Sequence, residues 1–166
     1  MSILHGVIYV HHVFMYSDVH CEDQIATSTR LHDGIKTIFC KLFDEAERAF
    51  TDKGRVTEDI LTALQSVFPS SLLPACELVD KGAITRVVSP SRSGIYQVVG
   101  ASGVIYTCFE SSTYCSCPAY RFSVLHKEDQ LMCKHHLAMR LSNITRKTKV
   151  TNLTDQQMAQ LLSSLG

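Results

Sequence analysis

The stretch YCSCPAYRFSVLHKEDQLMCKHHLAMR, Tyr114 to Arg140, decides how the C-terminal half of this chain folds. It contains three of the seven cysteines and three of the eight histidines among 166 residues. Two cysteines stand one residue apart, and a third follows sixteen positions after the second. A histidine lies two positions beyond the third cysteine, and another histidine directly follows it. Thiols and imidazoles clustered in this way indicate a metal site, a redox pair or a nucleophile.

Zinc explains this spacing best, because a structural zinc ion takes four tetrahedral ligands drawn from thiolate and imidazole. The stretch supplies Cys115, Cys117, Cys133 and His135. Pro118 prevents a strand from continuing past the first pair, and a tight turn there can point both sulfurs to one side. The second pair stands at the start of an apolar helix. We therefore predict one closed, structural Zn²⁺ that joins a strand to a helix.

Other interpretations of the cluster stay open at this level. A redox pair usually spaces its cysteines by two residues rather than one. A thiol nucleophile needs a base and an oxyanion site, and the flanking residues show no such pattern. His136 points about a third of a helical turn away from His135, so we expect it to pack or hydrogen-bond, with exchange as a ligand the lesser alternative. Four separate core or surface residues are the remaining alternative.

The other four cysteines have no metal-ligand spacing. We expect Cys108 to be a small buried group in a strand, and Cys40 and Cys76 to be core or boundary residues of helices. Cys21 has no partner nearby in the sequence. An odd number of cysteines excludes a fully paired set of disulfides within one chain, and we expect an intracellular protein.

Helical periodicity precedes the cluster. From Gly34 onward, apolar residues recur at intervals of three and four, with Asp33 as the predicted N-cap and Gly54 just past the end. A second helix is predicted after Thr57, and a short third helix is predicted to end at Gly82.

A period of two then indicates strands. Residues 84–88, IYQVV and VIYTCF are predicted to form an antiparallel meander through the turns SPSRSG and GASG. Beyond Cys133 we predict a helix, then TRKTKVTN as a polar, basic loop. Thr154 and Gln157 are predicted to form a capping box for a last helix.

These elements predict an α+β fold. N-terminal helices come first, then an antiparallel β-meander that leads into a ββα-like zinc finger, then C-terminal helices. We interpret 1–33 as an extension that is disordered or does not belong to the domain, 34–82 as a helical region, 83–149 as the meander with the zinc finger, and 150–166 as the last helix.

A net charge of zero conceals an asymmetry between the two halves. Residues 1–80 carry twelve acidic and six basic side chains, whereas residues 81–166 carry four and ten. A basic half can meet phosphates. No apolar run approaches the roughly 20 residues of a membrane-spanning helix, so we expect no membrane association. The candidate DNA-contacting residues are Arg121, Lys127, Arg140, Arg146, Lys147 and Lys149.

The cluster and its flanks resemble a known family. Cys-x-Cys, a spacer, and Cys-x-His with an alanine three residues after the histidine resemble the SWIM-type zinc finger, here Cys115-Ser116-Cys117 and Cys133-Lys134-His135-His136-Leu137-Ala138. This resemblance selects His135 as the ligand. The flanks LVDKGAITRVVSPSRSGIYQVVG, YTCFESSTYCSCPAYRFSVL and CKHHLAMRLS resemble the small SWIM-domain proteins of the Shu complex over about 34–166.

The resemblance implies a non-enzymatic adaptor in homologous recombination, in replication-associated repair and in meiosis. Family members act in the nucleus with a recombinase-paralogue-like ATPase partner. The pair helps to load or stabilise the strand-exchange recombinase on single-stranded DNA. On this reading the helices of 34–82 dock the partner. The alternative is a thiol-dependent or ubiquitin-transfer enzyme that uses the Cys/His cluster, because some larger SWIM proteins are ligases.

Overall fold

The computed structural model describes residues 31–165. Its regular elements are α1 (Leu31–Lys53), α2 (Glu58–Val67), α3 (Leu72–Asp80), β1 (Ile84–Ser89), β2 (Arg92–Val99), β3 (Ile105–Phe109), a π-helix (Tyr120–His126), α4 (Lys134–Ile144), β4 (Lys149–Asn152) and α5 (Asp155–Ser163). The predicted α+β class, with helices first, a sheet, a Cys/His cluster and a C-terminal helix, is confirmed.

The first helix buries one apolar stripe. Phe39, Phe43 and Ala46 are buried at helical spacing, and the rings of Phe39 and Phe43 meet edge to face at 5.3 Å. Gly54 follows the helix with φ of 68°, a left-handed conformation that favours glycine, as predicted. The helix already includes Leu31, so Asp33 lies inside it and the predicted N-cap there is wrong.

The sheet has four strands in the order β3-β2-β1-β4. The antiparallel pairing of β1 with β2 and of β2 with β3 confirms the predicted meander. The segment TRKTKVTN is not only a loop, because Lys149–Asn152 forms β4, parallel to β1. All four of its residues are exposed. The strand therefore has no buried face, and no apolar alternation marks it in the sequence.

Both faces of the sheet are covered, by different helices. On one face Ile84 and Val98 join the main core, where α4 packs against the sheet and also against α1 and α3. On the other face Val87 and Ile95 pack with Met158 of α5. The predicted capping box holds the start of α5, because Thr154 and Gln157 exchange side-chain and backbone hydrogen bonds.

A polar chain fixes α4 against the sheet. Asn143 Nδ2 donates to the hydroxyl of the fully buried Tyr96 at 2.8 Å, which donates to Glu110 Oε1 at 3.1 Å. Glu110 in turn pairs with Arg86 at 3.3 Å. Gly94 leaves room for this pair, since a Cβ there would lie 2.7 Å from Arg86 Nε. None of the described helices is long and apolar enough to cross a membrane.

Shortening Met158 should detach α5 from the sheet. Met158→Ala removes the side chain that fills the space above Val87 and Ile95, so we expect unfolding free energy to fall by about 2–5 kcal/mol. Urea unfolding of zinc-loaded protein measures this. The exposed Gln156→Ala in the same helix is the control, and equal stability of the two variants would contradict the observed packing.

Candidate metal centre

The first two cysteines lie on a short return of the chain along β3. Cys115 pairs with Cys108 in an isolated antiparallel bridge. The N–H of Ser116 donates to the carbonyl of Thr107 at 2.9 Å, and the N–H of Thr107 donates to Ser116 Oγ at 2.9 Å. Ser116 is therefore held by β3, and its two neighbours Cys115 and Cys117 lie on the same side of the backbone. The extended backbone at Ser116, paired with β3, accounts for the common direction of the two sulfurs.

The second ligand pair lies at the start of α4. Cys133 occupies the N-cap with φ −76° and ψ 160°, an extended conformation, and His135 lies in the first turn. The change from extended to helical backbone lets both side chains of a Cys-x-His pair face one point. Leu137 and Ala138, both fully buried directly behind them, anchor the helix in the core.

The four predicted ligands meet. The ligand atoms of Cys115, Cys117, Cys133 and His135 all lie within 4.8 Å of one another, and every one of these residues is buried. Zn–S bonds of about 2.3 Å and Zn–N bonds of about 2.0 Å place tetrahedral ligand atoms about 3.5–3.8 Å apart. A small inward movement of the four side chains would therefore bring all four ligand atoms to zinc-binding distance. The donor set fits one structural zinc ion, and four protein donors leave no coordination position open.

The pKa values of the three thiols in this cluster are shifted in opposite directions. Hydrogen bonds from Cys115 and Cys133 hold the pKa of the Cys117 thiol far below its usual range. Its sulfur also accepts the N–H of Tyr120 at 3.3 Å. The pKa of Cys115 is raised, first by its hydrogen bond with Cys108, and that of Cys133 is raised, first by its hydrogen bond with Cys115. A divalent cation would supply the positive charge needed to hold all three as thiolates.

The imidazole of His135 has the environment of a ligand. It stacks on Tyr106 with ring centroids 4.2 Å apart, and its Nδ1 lies 4.0 Å from Cys115 Sγ. Its Nε2 is buried without a hydrogen-bond partner in the described part of the chain. Nδ1 is the nitrogen that lies beside a ligand sulfur, so it is the atom of this ring that would bind zinc.

His136 has a different role, as predicted. It is buried, and its Nε2 lies 2.8 Å from the Ser112 carbonyl and 3.4 Å from the Phe109 carbonyl. Burial, followed by the nearby Arg140 charge, lowers the pKa of His136 to about 4. The ring is therefore neutral at pH 7 and donates from Nε2. It ties α4 to the chain between β3 and the cysteines.

Two of the remaining cysteines agree with the sequence-based expectations, since Cys108 is fully buried and Cys76 is half-buried in α3. Cys40 is buried in α1 as expected, but it is disulfide-bonded, which the sequence did not predict. Cys21 lies outside the described residues. The backbone pairing of Cys108 with the ligand Cys115 was not anticipated, because it joins residues of two separate segments in an isolated antiparallel bridge.

The candidate DNA-contacting residues occupy different environments. Arg121 and Lys127 are exposed at the π-helix, with Lys127 Nζ 4.7 Å from the centre of the Phe122 ring. The guanidinium of Arg140 lies over Phe39 and Phe43, at 5.6 and 5.2 Å from the ring centres.

The other three follow α4. Arg146 is exposed. Lys147 forms an ion pair with Asp80 at 2.8 Å, and Lys149 Nζ donates to the Gly82 carbonyl at 2.7 Å. Their contact with DNA stays a prediction.

Several curated proteins are similar to this chain. "Zinc finger SWIM domain-containing protein 7" of Mus musculus is 44% identical over 122 residues, which cover 74% of this chain and 80% of the mouse protein. The Homo sapiens protein of the same name is 41% identical over 122 residues, covering 74% and 87%. The Dictyostelium discoideum homolog is 37% identical over 110 residues, covering 65% and 70%. No family model matches the chain, and no solved structure matches it.

Exchange of each adjacent histidine for glutamine should separate their roles. His135→Gln removes a ligand, so we expect less than one zinc per chain and a melting temperature that no longer responds to added zinc, because metal binding contributes folding free energy here. His136→Gln keeps an amide donor for the carbonyls of Ser112 and Phe109 and should keep one zinc. Zinc content by mass spectrometry and thermal unfolding measure both. Full zinc in the first variant and loss in the second would transfer the ligand role to His136.

Proposed function

The chain belongs to the family of zinc finger SWIM domain-containing protein 7, and on that premise we propose that it is a non-catalytic adaptor in homologous recombination. In this proposal it acts in the nucleus, including in meiosis, as the SWIM subunit of the Shu complex. It works with a recombinase-paralogue-like ATPase to promote assembly or stability of the strand-exchange recombinase on single-stranded DNA. The closed Cys₃His cluster is the observation that supports the absence of catalytic activity in this proposal.

A buried, complete ligand set argues against the enzyme alternative. Cys115, Cys117 and Cys133 are each at most 2% exposed, whereas a thiol that attacks a substrate must be accessible. The relatives are named as zinc finger SWIM domain proteins and not as enzymes. Slow reaction of these thiols with Ellman's reagent in the zinc-loaded protein supports the adaptor. Fast reaction of Cys133 without loss of zinc would favour the enzyme.

The π-helix offers an accessible set of groups for single-stranded DNA. The Phe122 side chain is 58% exposed, Lys127 lies over its ring, and the exposed Arg121 precedes it in the sequence. An aromatic face beside positive charge suits a base stacked above a phosphate backbone. Tyr120, in contrast, is half-buried and packs edge to face with Tyr114 at 5.5 Å. We therefore propose Phe122, rather than Tyr120, as the stacking residue.

The helical region offers apolar surface for the protein partner. Ile38 of α1 is 57% exposed and Leu73 of α3 is 67% exposed, while Leu42 and Phe50 of α1 are only half-buried. A large aliphatic side chain exposed on a helix beside a core is stabilised by a partner that covers it. This exposure supports the proposal that 34–82 docks the ATPase-like subunit.

Charge reversal at the π-helix should weaken DNA binding. For Arg121→Glu with Lys127→Glu, we expect the slope of log affinity against log salt to fall by about 1.4, because each lost contact to single-stranded DNA accounts for about 0.7. Phe122→Ala should weaken binding by about 1–3 kcal/mol with the slope unchanged. Fluorescence anisotropy of labelled oligo-dT with the complex measures both.

Two controls accompany this measurement. The exposed Lys81→Glu should change neither quantity, and Arg146→Glu examines the second group of candidate cations. An unchanged salt slope in the Arg121 and Lys127 double variant would exclude the π-helix from phosphate contact.

Partner binding should depend on the exposed face of α1. Ile38→Asp places a charge where we propose that apolar surface is covered, so co-purification with the ATPase-like subunit should be lost while zinc content stays at one per chain. Lys41→Asp, an exposed position one turn further on, is the control. Retained co-purification of the Ile38 variant would locate the partner elsewhere.

A further inference from the structure

The two edges of the sheet differ in how they are covered. At β3 the returning segment 114–116 occupies the outer edge, with hydrogen bonds to Thr107 and Phe109. At the opposite edge β4 has only β1 as a strand neighbour in the described chain, and all of its residues are exposed. An uncovered edge presents unpaired backbone donors and acceptors.

The hydrogen-bonding direction identifies which groups of β4 face outward. The N–H of Leu153 donates to the Val88 carbonyl at 2.8 Å, so residue 153 faces β1. Backbone groups alternate direction along a strand, and residue 151 therefore also faces β1. The N–H and C=O groups of Val150 and Asn152 consequently point away from the sheet. Their outward N–H and C=O groups can hydrogen-bond to an added strand that runs either parallel or antiparallel to β4.

The side chains around this edge are basic and apolar. Val150 is 62% exposed, and Arg146 and Lys149 are also exposed. Lys149 bonds to an uncharged group, the Gly82 carbonyl. Lys147 instead forms an ion pair with Asp80. The edge thus offers two positive charges beside one exposed β-branched side chain.

We propose that the outer edge of β4 binds an extended, acidic segment of a partner protein, which adds to the sheet as a fifth strand. Outward amide groups at Val150 and Asn152 supply the strand pairing, and Arg146 and Lys149 select carboxylates on the added strand. A second copy of this chain is disfavoured, because it would bring the same positive charges to the shared edge.

Nucleic acid fits this edge less well than polypeptide does. A phosphate backbone can pair with Arg146 and Lys149, but it leaves the outward amide and carbonyl groups of Val150 and Asn152 without strand partners. The proposal does not depend on the recombination role. If it is correct, the DNA contact of the proposed function rests on Arg121 and Lys127.

One proline substitution isolates the outer edge. Val150→Pro removes an N–H that points away from β1, so the pairing of β4 with β1 is retained. Val150→Thr keeps the N–H and is the matched control. The probe is a fluorescein-labelled peptide, Glu-Val-Glu-Val-Glu-Val, added to the full-length, zinc-loaded protein at low salt. Anisotropy measures affinity, and amide chemical shifts locate the contact.

We expect the wild-type protein and Val150→Thr to bind the peptide with shifts centred on 150–152. Val150→Pro should bind about tenfold more weakly, the effect of losing one backbone hydrogen bond. Arg146→Asn, which tolerates the left-handed backbone at this residue (φ 55°), should reduce the salt dependence. A Lys-Val-Lys-Val-Lys-Val peptide should not bind.

A second measurement keeps the test decisive if Val150→Pro fails to fold. Methylating alternate backbone nitrogens on one edge of the acidic peptide should abolish its binding to the wild-type protein. Three results would overturn the proposal: no binding of the acidic peptide, equal binding of the methylated peptide, or shifts located away from β4. A concentration-dependent dimer that Val150→Thr retains and Val150→Pro loses would assign the edge to a second copy. Oligo-dT binding with that same dependence would assign it to nucleic acid.

Discussion

The convergence of three sulfurs and one imidazole is the constraint on which the C-terminal half depends. Cys115 and Cys117 belong to the sheet, whereas Cys133 and His135 belong to α4. Between these pairs, residues 118–131 contain no buried side chain. Ordering a segment of this length costs conformational entropy, and with no apolar core of its own the segment depends on metal binding to offset that cost. Zinc binding therefore stabilises this segment, whereas apolar packing stabilises the rest of the described chain.

Helix α4 transmits that constraint to the rest of the molecule. Its first turn carries the ligand His135, while the next residue, His136, turns about 100° away and bonds to the carbonyls of Ser112 and Phe109. Further along, Asn143 reaches the buried Tyr96 hydroxyl. One helix thus connects the metal site, the chain between β3 and the cysteines, and the centre of the sheet. Loss of the metal would loosen contacts well beyond the four ligands.

Much of the fold could be predicted because local periodicity reports burial directly. The three-and-four spacing of α1, the alternation before Cys115 and the capping box at Thr154 all concern residues close in sequence. Two elements were missed for the opposite reason. Strand β4 is exposed throughout and exists through pairing with the distant β1. The π-helix has no buried residue, so no apolar stripe indicates it.

The ligand set could be read from the sequence alone, because the capacity to bind zinc belongs to thiol and imidazole groups and the spacing orders them. The contacts of the basic residues could not be read from the sequence. Arg140 lies over two phenylalanine rings, Lys147 pairs with Asp80, and the π-helix leaves Lys127 beside an exposed Phe122. Each assignment depends on which distant group the fold places nearby. Charge is a property of a residue, whereas its availability is decided only by tertiary contacts.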